Sequence, residues 1–294
     1  MSRFDVAVLG SLHLDIVIDG APLPGPDETV IGRSWRFACG GKGGNQAVSA
    51  ARFGARTAMI GRVGADDFGA KLLANLDAHH VDRRGVAIDP DAGSGMSAAI
   101  IDNAGAYGAA VVSGANRRIA AAQWHDLSAA ILLLQNEIES ASAIAAARAF
   151  KAKGSFVILN AAPAVSFNAD LVTCADLLVV NRIEASQLMD TAIDSLAAAA
   201  MFAGLFAERV PAVMVTLGSG GLMLQGRDGG PHHIPSHEVR QVSSHGAGDL
   251  FIGALAAEMA RGETLHNAAR FANAAAALFV SGHAPDRDAV LALL

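Results

Sequence analysis

Cysteine is nearly absent from this chain, with two residues, Cys39 and Cys174, in 294. They are far apart and show no C-x-x-C or His-partnered spacing. That excludes a disulfide-stapled miniprotein and leaves two buried thiols in a reducing compartment as the expectation. Charge is sparse as well: Asp, Glu, Lys and Arg make up 17% of the chain and the formal net charge is −6. The basic pairs Arg83-Arg84 and Arg117-Arg118 stand isolated rather than forming a stripe, which argues against nucleic acid as a partner. Long apolar runs are missing too. Ala-rich tracts such as Leu196 to Leu205 fall short of the roughly 18 to 20 residues that cross a bilayer, so no membrane partner is expected. The first ten residues place Asp5 inside a short apolar run and carry no small-residue cleavage pattern. They read as a strand rather than a signal peptide, and the expected location is the cytoplasm.

What the chain has in plenty is apolar sequence, at 52% of residues with mean hydropathy +0.35; this excludes disorder and supplies a sizeable core. Short β-rich runs at Phe4 to Leu9, Thr57 to Val63, Ile131 to Gln135, Phe156 to Asn160, Leu177 to Asn181 and Val213 to Leu217 alternate with helical patterns. The helical patterns are Asn45 to Phe53, Phe68 to His79, Ser142 to Lys153, Asp194 to Glu208, Asp249 to Arg261 and Leu265 to Ser281, with Gly54, Gly154 and Gly262 placed to end three of them. The alternation predicts an α/β fold: a Rossmann-like, doubly wound, mostly parallel sheet with helices on both faces. Two stretches break the rhythm, Ile16 to Ala38 and Ser97 to Ser113, the second with a turn at Asp102 to Gly105. Both read as antiparallel β insertions, a small lid over a cleft at the strand C-termini.

Two glycine clusters precede helices. Gly40-Gly41-Lys42-Gly43-Gly44-Asn45 fits neither a Walker A loop nor G-x-G-x-x-G, since Gln46 holds the last position. Its glycines would let backbone amides approach a ligand, with Lys42 and Asn45 as donors to hydroxyls; the alternative is a plain strand-to-helix turn, which needs fewer glycines. Ser244-His245-Gly246-Ala247-Gly248-Asp249 opens the second helix with amides suited to an anion. Asp249 would repel a dinucleotide's pyrophosphate, which counts against a dehydrogenase. It reads either as a base that takes a proton from an attacking hydroxyl or as a helix cap. The His79-His80 and His232-His233 pairs read as surface loop residues, since Pro235 interrupts any helical His233/His237 spacing. Trp35 and Phe37 alternate with Arg36 as lid-strand residues would, lining either a ligand site or a dimer seam.

The segment Gly246-Ala247-Gly248-Asp249 with Phe251 and Gly253-Ala254-Leu255 resembles the C-terminal signature of the ribokinase/PfkB carbohydrate kinases, and Gly40 to Ala47 resembles their N-terminal one. Further matches follow in order: Gly10-Ser11 with Asp15, Gly64 to Gly69, Gly114-Ala115-Asn116, Leu159-Asn160 with Pro163, Asn181 with Glu184, Thr216 to Ser219, and Asn273. The resemblance implies a single ribokinase-like kinase domain over residues 1–294, with lid insertions at about 16–38 and 97–113. It implies transfer of the γ-phosphate of Mg-ATP to a primary hydroxyl of a small sugar, a pentose or ketohexose. Asp249 would be the base, and Gly246, Ala247 and Gly248 would supply anion-hole amides. Asp15, Gly41, Lys42, Asn45 and Glu137 would hold the sugar, with Glu139 a near alternative to Glu137. Asn181 and Glu184 would organise magnesium and phosphates, Glu184 through water, while Thr216, Gly218, Ser219, Gly221 and Asn273 would hold the nucleotide. A homodimer formed through the lid is implied.

Two departures stand out against the family. His13 occupies a position where ribokinases carry Asn, which puts ribose itself in doubt as the preferred sugar and favours another pentose, a ketohexose or a related polyol. Ser243 stands where ribokinase-like enzymes carry an Asp that helps hold a monovalent cation, and the stretch Ser281 to Pro285 is shortened, so that cation site reads as degraded. The alternatives to a sugar kinase are a nucleoside kinase of the same family, which would want an aromatic surface beside the lid, and a non-catalytic sugar or nucleotide sensor, which need not retain Asp249.

Overall fold

A computed structural model describes residues 3–103, 107–164, 167–227 and 229–294. The chain begins with β1 (Phe4–Leu9), β2 (His13–Asp19), β3 (Ser34–Gly40), α1 (Lys42–Arg52), β4 (Thr57–Gly64), α2 (Asp67–Ala78) and β5 (Asp82–Asp89). It continues through β6 (Gly95–Ile101), β7 (Tyr107–Val112), β8 (Ala129–Gln135), α3 (Ser140–Ala152), β9 (Phe156–Asn160), α4 (Ala169–Thr173), β10 (Leu177–Asn181) and α5 (Arg182–Met189). The remaining elements are α6 (Leu196–Ala207), β11 (Ala212–Thr216), β12 (Leu222–Gly226), β13 (His232–Ile234), α7 (Ala247–Ala260), α8 (Leu265–Val280) and α9 (Arg287–Leu291).

Nine strands form the main sheet in the order β13-β12-β11-β10-β9-β8-β1-β4-β5. All neighbours from β11 through β5 are parallel, and β12 and β13 close one edge antiparallel. The period-2 alternation of β1 divides its side chains between two cores. Val6 and Val8 join the apolar cluster containing α1, α7 and α8, while Ala7 and Leu9 join the one containing α3 and α6. The sheet is therefore doubly wound, as the alternating sequence predicts. Its order reverses beside β1, and that switch point is where a crevice opens in such folds. Gly54, Gly154 and Gly262 each follow a helix with φ of 84°, 77° and 96°, the left-handed conformation that ends a helix.

Elements that sequence periodicity does not single out are short or lie at edges. β5 carries Asp82, Arg83, Arg84 and Asp89, so it lacks an apolar signature, and β13 has three residues. His232 and His233 are exposed, as expected, but lie on that edge strand rather than in a loop. Helices α4, α5 and α9 have five to eight residues, and each starts at a side-chain cap: Asn168, Asn181 and Asp286.

The lid is a separate four-stranded sheet, β3-β2-β6-β7. Two antiparallel pairs, β2–β3 and β6–β7, are joined by a parallel β2–β6 pair. It starts at His13, a few residues before the predicted insertion, and part of the predicted turn, residues 104 and 105, lies outside the described residues. The lid's root is held by the fully buried Asn116, which accepts from Leu12 N and donates to Leu12 O, both at 2.9 Å. Register places Ala38 and Ser97 opposite Asp15. Trp35 and Phe37, odd-numbered on the antiparallel neighbour, therefore project from the other face of the lid. Phe37 packs there edge-on to Phe68 of α2, with ring centroids 5.8 Å apart. This removes them from the Asp15 side of the lid.

Candidate active site

The site grows from backbone that crosses backbone. Helix α1 starts directly against the turn leaving β1: a Cβ on Gly43 would lie 2.6 Å from Gly10 C, and one on Gly41, at φ +82°, 2.8 Å from His13 N. Gly41 and Gly43 thus serve close backbone packing, and the helix begins at Lys42 rather than Asn45. Helix α7 crosses α1 as closely. A Cβ on Gly253 would come within 2.4 Å of Ser49 Cβ, and Ser49 Oγ donates to Leu250 O at 2.8 Å. Asp249 lies one turn before Gly253 on the same α7 face, which brings it onto the first turns of α1.

There Asn45 Nδ2 donates to Asp249 Oδ2 at 3.1 Å and Gln46 Nε2 donates to Oδ1 at 3.0 Å. Asp249 is buried, and burial pushes its carboxyl above the usual aspartate range. The Lys42 ammonium and the Gln46 and Asn45 amides pull it back, while Glu137 adds to the rise. Asp249 lies on the first turn of α7, whose N-cap is Gly246. Its side chain accepts from Asn45 and Gln46 of another helix.

On one side of Asp249 lie the residues predicted to hold a sugar. Glu137 Oε2 accepts from Lys42 N at 2.9 Å and from the Ser11 hydroxyl, placing the acid on the N-terminus of α1, where a negative charge is favoured. Glu139 is elsewhere, paired with Arg117 at 2.8 Å on the surface. Asp15 Oδ1 accepts from Ser97 Oγ at 2.6 Å, and its Oδ2 sits over Gly40, where a Cβ would be 2.3 Å away. His13 is 5% exposed and its Nε2 has no hydrogen-bond partner among the described residues. Burial holds its imidazole below the usual histidine range against the upward pull of Glu137 and Asp15, so the ring is neutral at pH 7.

On the other side is a cavity of about 740 Å³. Asn181, Thr216, Gly218, Ser219, Gly221, Ala247, Gly248 and Asn273 line it, so all the predicted nucleotide residues except Glu184 meet there with two of the anion-hole residues. Gly246 adopts φ +80° as the N-cap of α7. Ala247 N donates to Ser244 O at 3.2 Å, closing a turn at the start of α7. Asn273 is buried and donates to Pro235 O at 2.7 Å, which ties α8 to the wall after β13. Asn181 and Glu184 form a reciprocal capping box on α5: Asn181 N donates to Glu184 Oε2 at 2.8 Å and Glu184 N to Asn181 Oδ1 at 2.9 Å.

Magnesium fits Glu184. Burial raises this carboxyl, an effect a nearby cation would reverse; Lys42 and the Asn181 N–H lower it and Asp249 raises it further. Among the described residues no three His, Cys, Asp or Glu side chains gather where they could hold a metal ion. Beside α7, where the resemblance places a monovalent cation, the loop oxygens have protein partners. Ser243 Oγ accepts from His245 N at 3.3 Å, and Val280 O takes both Val242 N at 2.7 Å and Ser243 N at 3.2 Å. Ser281 Oγ donates to Leu278 O at 2.8 Å and contacts His283 Nδ1 at 3.0 Å. Residues 242–245 and 280–283 include no carboxylate side chain.

Sequence reasoning missed the polar residues beneath Asp249. Gln46, Gln135 and Asn160 are buried and linked to one another. The available signal was a glutamine set within the otherwise small-residue stripe Gly43, Ala47 and Ala50 on α1. Ser97, which fixes Asp15, carried no such mark.

The same arrangement of strands, helices and clefts recurs in known proteins. The chain matches the pfkB family carbohydrate kinases over residues 3–289. It is 35% identical to the ribokinase of Bacillus subtilis, spanning 99% of both chains, and 32% identical to the mouse ribokinase over 85% of this chain and 80% of that one. The structure of Arabidopsis thaliana ribokinase complexed with ribose and ATP superposes with a TM-score of 0.89 at 28% identity, covering 99% of each chain. The protein belongs to the pfkB family of carbohydrate kinases, and it is an ATP-dependent sugar kinase.

Proposed function

We propose that this enzyme transfers the γ-phosphate of ATP to a primary hydroxyl of a pentose or ketohexose, with Asp249 as the general base. The observation that carries this reading is the position of Asp249: a buried, elevated carboxyl between the Asp15–Glu137 group and the cavity lined by Asn181, Thr216 and Asn273. Phosphoryl transfer needs alignment, charge neutralisation and a proton acceptor. Asp15, Asn45, Lys42, Glu137 and His13 hold the sugar; Gly41 sets the turn beneath it. Thr216, Gly218, Ser219, Gly221, Asn181 and Asn273 hold the nucleotide. Glu184 holds magnesium through water, and the metal when bound neutralises phosphate charge. The positive end of α7, at Gly246, Ala247 and Gly248, faces the charge that develops in transfer. The whole chain works as one kinase domain whose lid, at about 16–38 and 97–113, closes over the sugar and excludes water that would hydrolyse ATP.

The ribokinase relatives support ribose as a substrate class, while His13 marks where this site departs from an amide and favours a different pentose or ketohexose. A nucleoside is the weaker reading, because Trp35 and Phe37 project from the lid face opposite Asp15. Exposed Ile31, Trp35 and Val112 on the lid support a homodimer through it. The enzyme works in the cytoplasm, with no nucleic-acid or membrane partner; among the described residues no helix is long and apolar enough to cross a membrane.

The test is a thermal-shift screen of sugars and nucleosides, with and without ATP, followed by an ADP-release assay on every compound that stabilises the protein. A pentose or ketohexose should give the largest shift and the fastest turnover. A nucleoside leading both measurements overturns the reading.

A further inference from the structure

Gln46 is fully buried, and both amide hydrogens have partners. Nε2 donates to Asp249 Oδ1 at 3.0 Å and to Asn160 Oδ1 at 3.1 Å, while Oε1 accepts from Gln135 Nε2 at 2.7 Å. Asn160 is fixed in turn, because its Nδ2 donates to the backbone carbonyl of Val179 at 3.3 Å. Turning the Gln46 amide over would set its oxygen against the Asp249 and Asn160 oxygens and its nitrogen against that of Gln135. One orientation gives the Gln46 amide all of its partners, and it is anchored through Asn160 at a backbone atom that cannot turn, while Gln135 Oε1 has no hydrogen-bond partner among the described residues. Gly10 makes room for this arrangement: a Cβ there would lie 1.9 Å from Gln135 Oε1.

The two oxygens of Asp249 consequently differ. The Gln46–Oδ1 bond is buried, whereas the Asn45–Oδ2 bond is only partly so. We propose that Gln46 is the positioning residue of the catalytic base, locked by Gln135 and Asn160 so that it holds Oδ1 and leaves Oδ2 turned to the sugar hydroxyl. This rests on Asp249 being the base. As the hydroxyl oxygen bonds to the γ-phosphorus and the bond from that phosphorus to the β-phosphate oxygen breaks, the hydroxyl proton moves to Oδ2 and ADP leaves. The charged groups around this carboxyl are Lys42 on α1, Glu137 after β8 and Glu184 on α5. Gln46 and Asn45 are neutral donors to this carboxylate, and Gln46, the fully buried one, can orient it without neutralising it.

The experiment measures kcat and both KM values from pH 5 to pH 9 for the wild type, Gln46→Leu, Gln46→Glu, Gln135→Leu and Asp249→Asn. Gln46→Leu should lower kcat about 10- to 100-fold with the ATP KM within about twofold, and should move the acid limb of kcat to higher pH, since an uncompensated carboxylate binds its proton more tightly. Gln135→Leu, which does not touch Asp249, should shift the limb the same way with a smaller loss. Gln46→Glu should run in reverse, active where its acid form can donate and failing as pH rises and it ionises. That reversal is something a packing role would not produce. A Gln46→Leu kcat within twofold of wild type, or losses in Gln46→Leu and Gln135→Leu with the acid limb unmoved, overturns the proposal. If Gln46→Leu does not fold, the Gln135→Leu and Gln46→Glu profiles decide it alone. Asp249→Asn separates the two readings: if that variant stays active, the base assignment itself has failed, and if it is inactive while Gln46→Leu is normal, only the positioning role has failed.

Discussion

At the entry of α1, Cβ atoms on Gly41 and Gly43 would collide with the backbone of Gly10, Ser11 and His13; at the entry of α7, a Cβ on Gly248 would meet nothing within 4 Å and one on Gly246 only the Phe279 ring at 3.7 Å. The two clusters look alike as sequence, glycines before a helix with a polar residue to follow. In the first, glycine lets two stretches of main chain touch, and the helix end they create is capped by Glu137. In the second, glycine leaves space beside a cavity. A glycine cluster records that a side chain is unwelcome. Whether a ligand or the protein's own backbone is the reason depends on what lies opposite.

The sharpest way to break this comparison is at the acid that follows the second entry. Asp249→Asn keeps the size and removes the base, and kcat should fall about 100-fold or more with the ATP KM little changed, as initial rates across ATP concentrations will show. In the wild type the acid limb of the pH–rate profile should lie above the ordinary aspartate range, because a carboxyl raised by burial stays protonated, and inactive as a base, to higher pH. A limb at or below that range would contradict the burial argument.

Paired alanine substitutions test the entries directly. Gly43→Ala forces a Cβ into the backbone of Gly10 and should destabilise the fold by about 1–3 kcal/mol, seen as a lowered urea midpoint. Gly248→Ala should leave that midpoint unchanged or slightly raised, since Ala favours a helix more than Gly. It should weaken ATP use about tenfold in kcat/KM by occupying space beside the cavity. The opposite pattern would reverse the roles assigned here.

A smaller effect is expected at His13. With its ring neutral and Nε2 unpaired, His13→Asn should shift the ratio of kcat/KM values toward ribose several-fold across a sugar panel. An unchanged ratio, or a wild type that already favours ribose over all other sugars, would show that the ring only packs beneath the lid. The smallest effect concerns the loop before α7. Potassium in place of sodium or a large organic cation, at constant ionic strength, should change initial rates by less than about twofold, because a hydroxyl supplies little of the attraction of a carboxylate. A several-fold activation specific to potassium would show a working cation site despite Ser243.

Much of this was legible in the linear sequence. Apolar runs of five to seven residues between helical patterns specify a parallel sheet because buried strands need unbroken hydrophobicity, and Asp249 and Asn45 stood out as polar residues at helix entries, whereas Asn181 and Asn273 came only with the family resemblance. The helix starts were less legible. Gly43 and Gly44 are poor helix formers, and only their contact with the β1 exit places them inside α1. Short elements such as β13 and α5 were hidden for the related reason that an edge strand or a capped turn needs few apolar residues.

Sequence alone determined the fold class and the family, because these follow from local periodicity and from motifs read a few residues at a time. Tertiary structure decided which glycines serve packing and which serve space, put Trp35 and Phe37 on the lid face away from Asp15, and gave Asp249 its buried amide partners. Gln135 and Asn160 lie at the ends of two different strands, and Gln46 lies on a helix between them. Their hydrogen bonds join residues about ninety or more positions apart. No local pattern encodes such a pairing; it exists only once the sheet has brought the strand ends together and Gly253 has let α1 and α7 approach closely enough for an amide to reach a carboxylate.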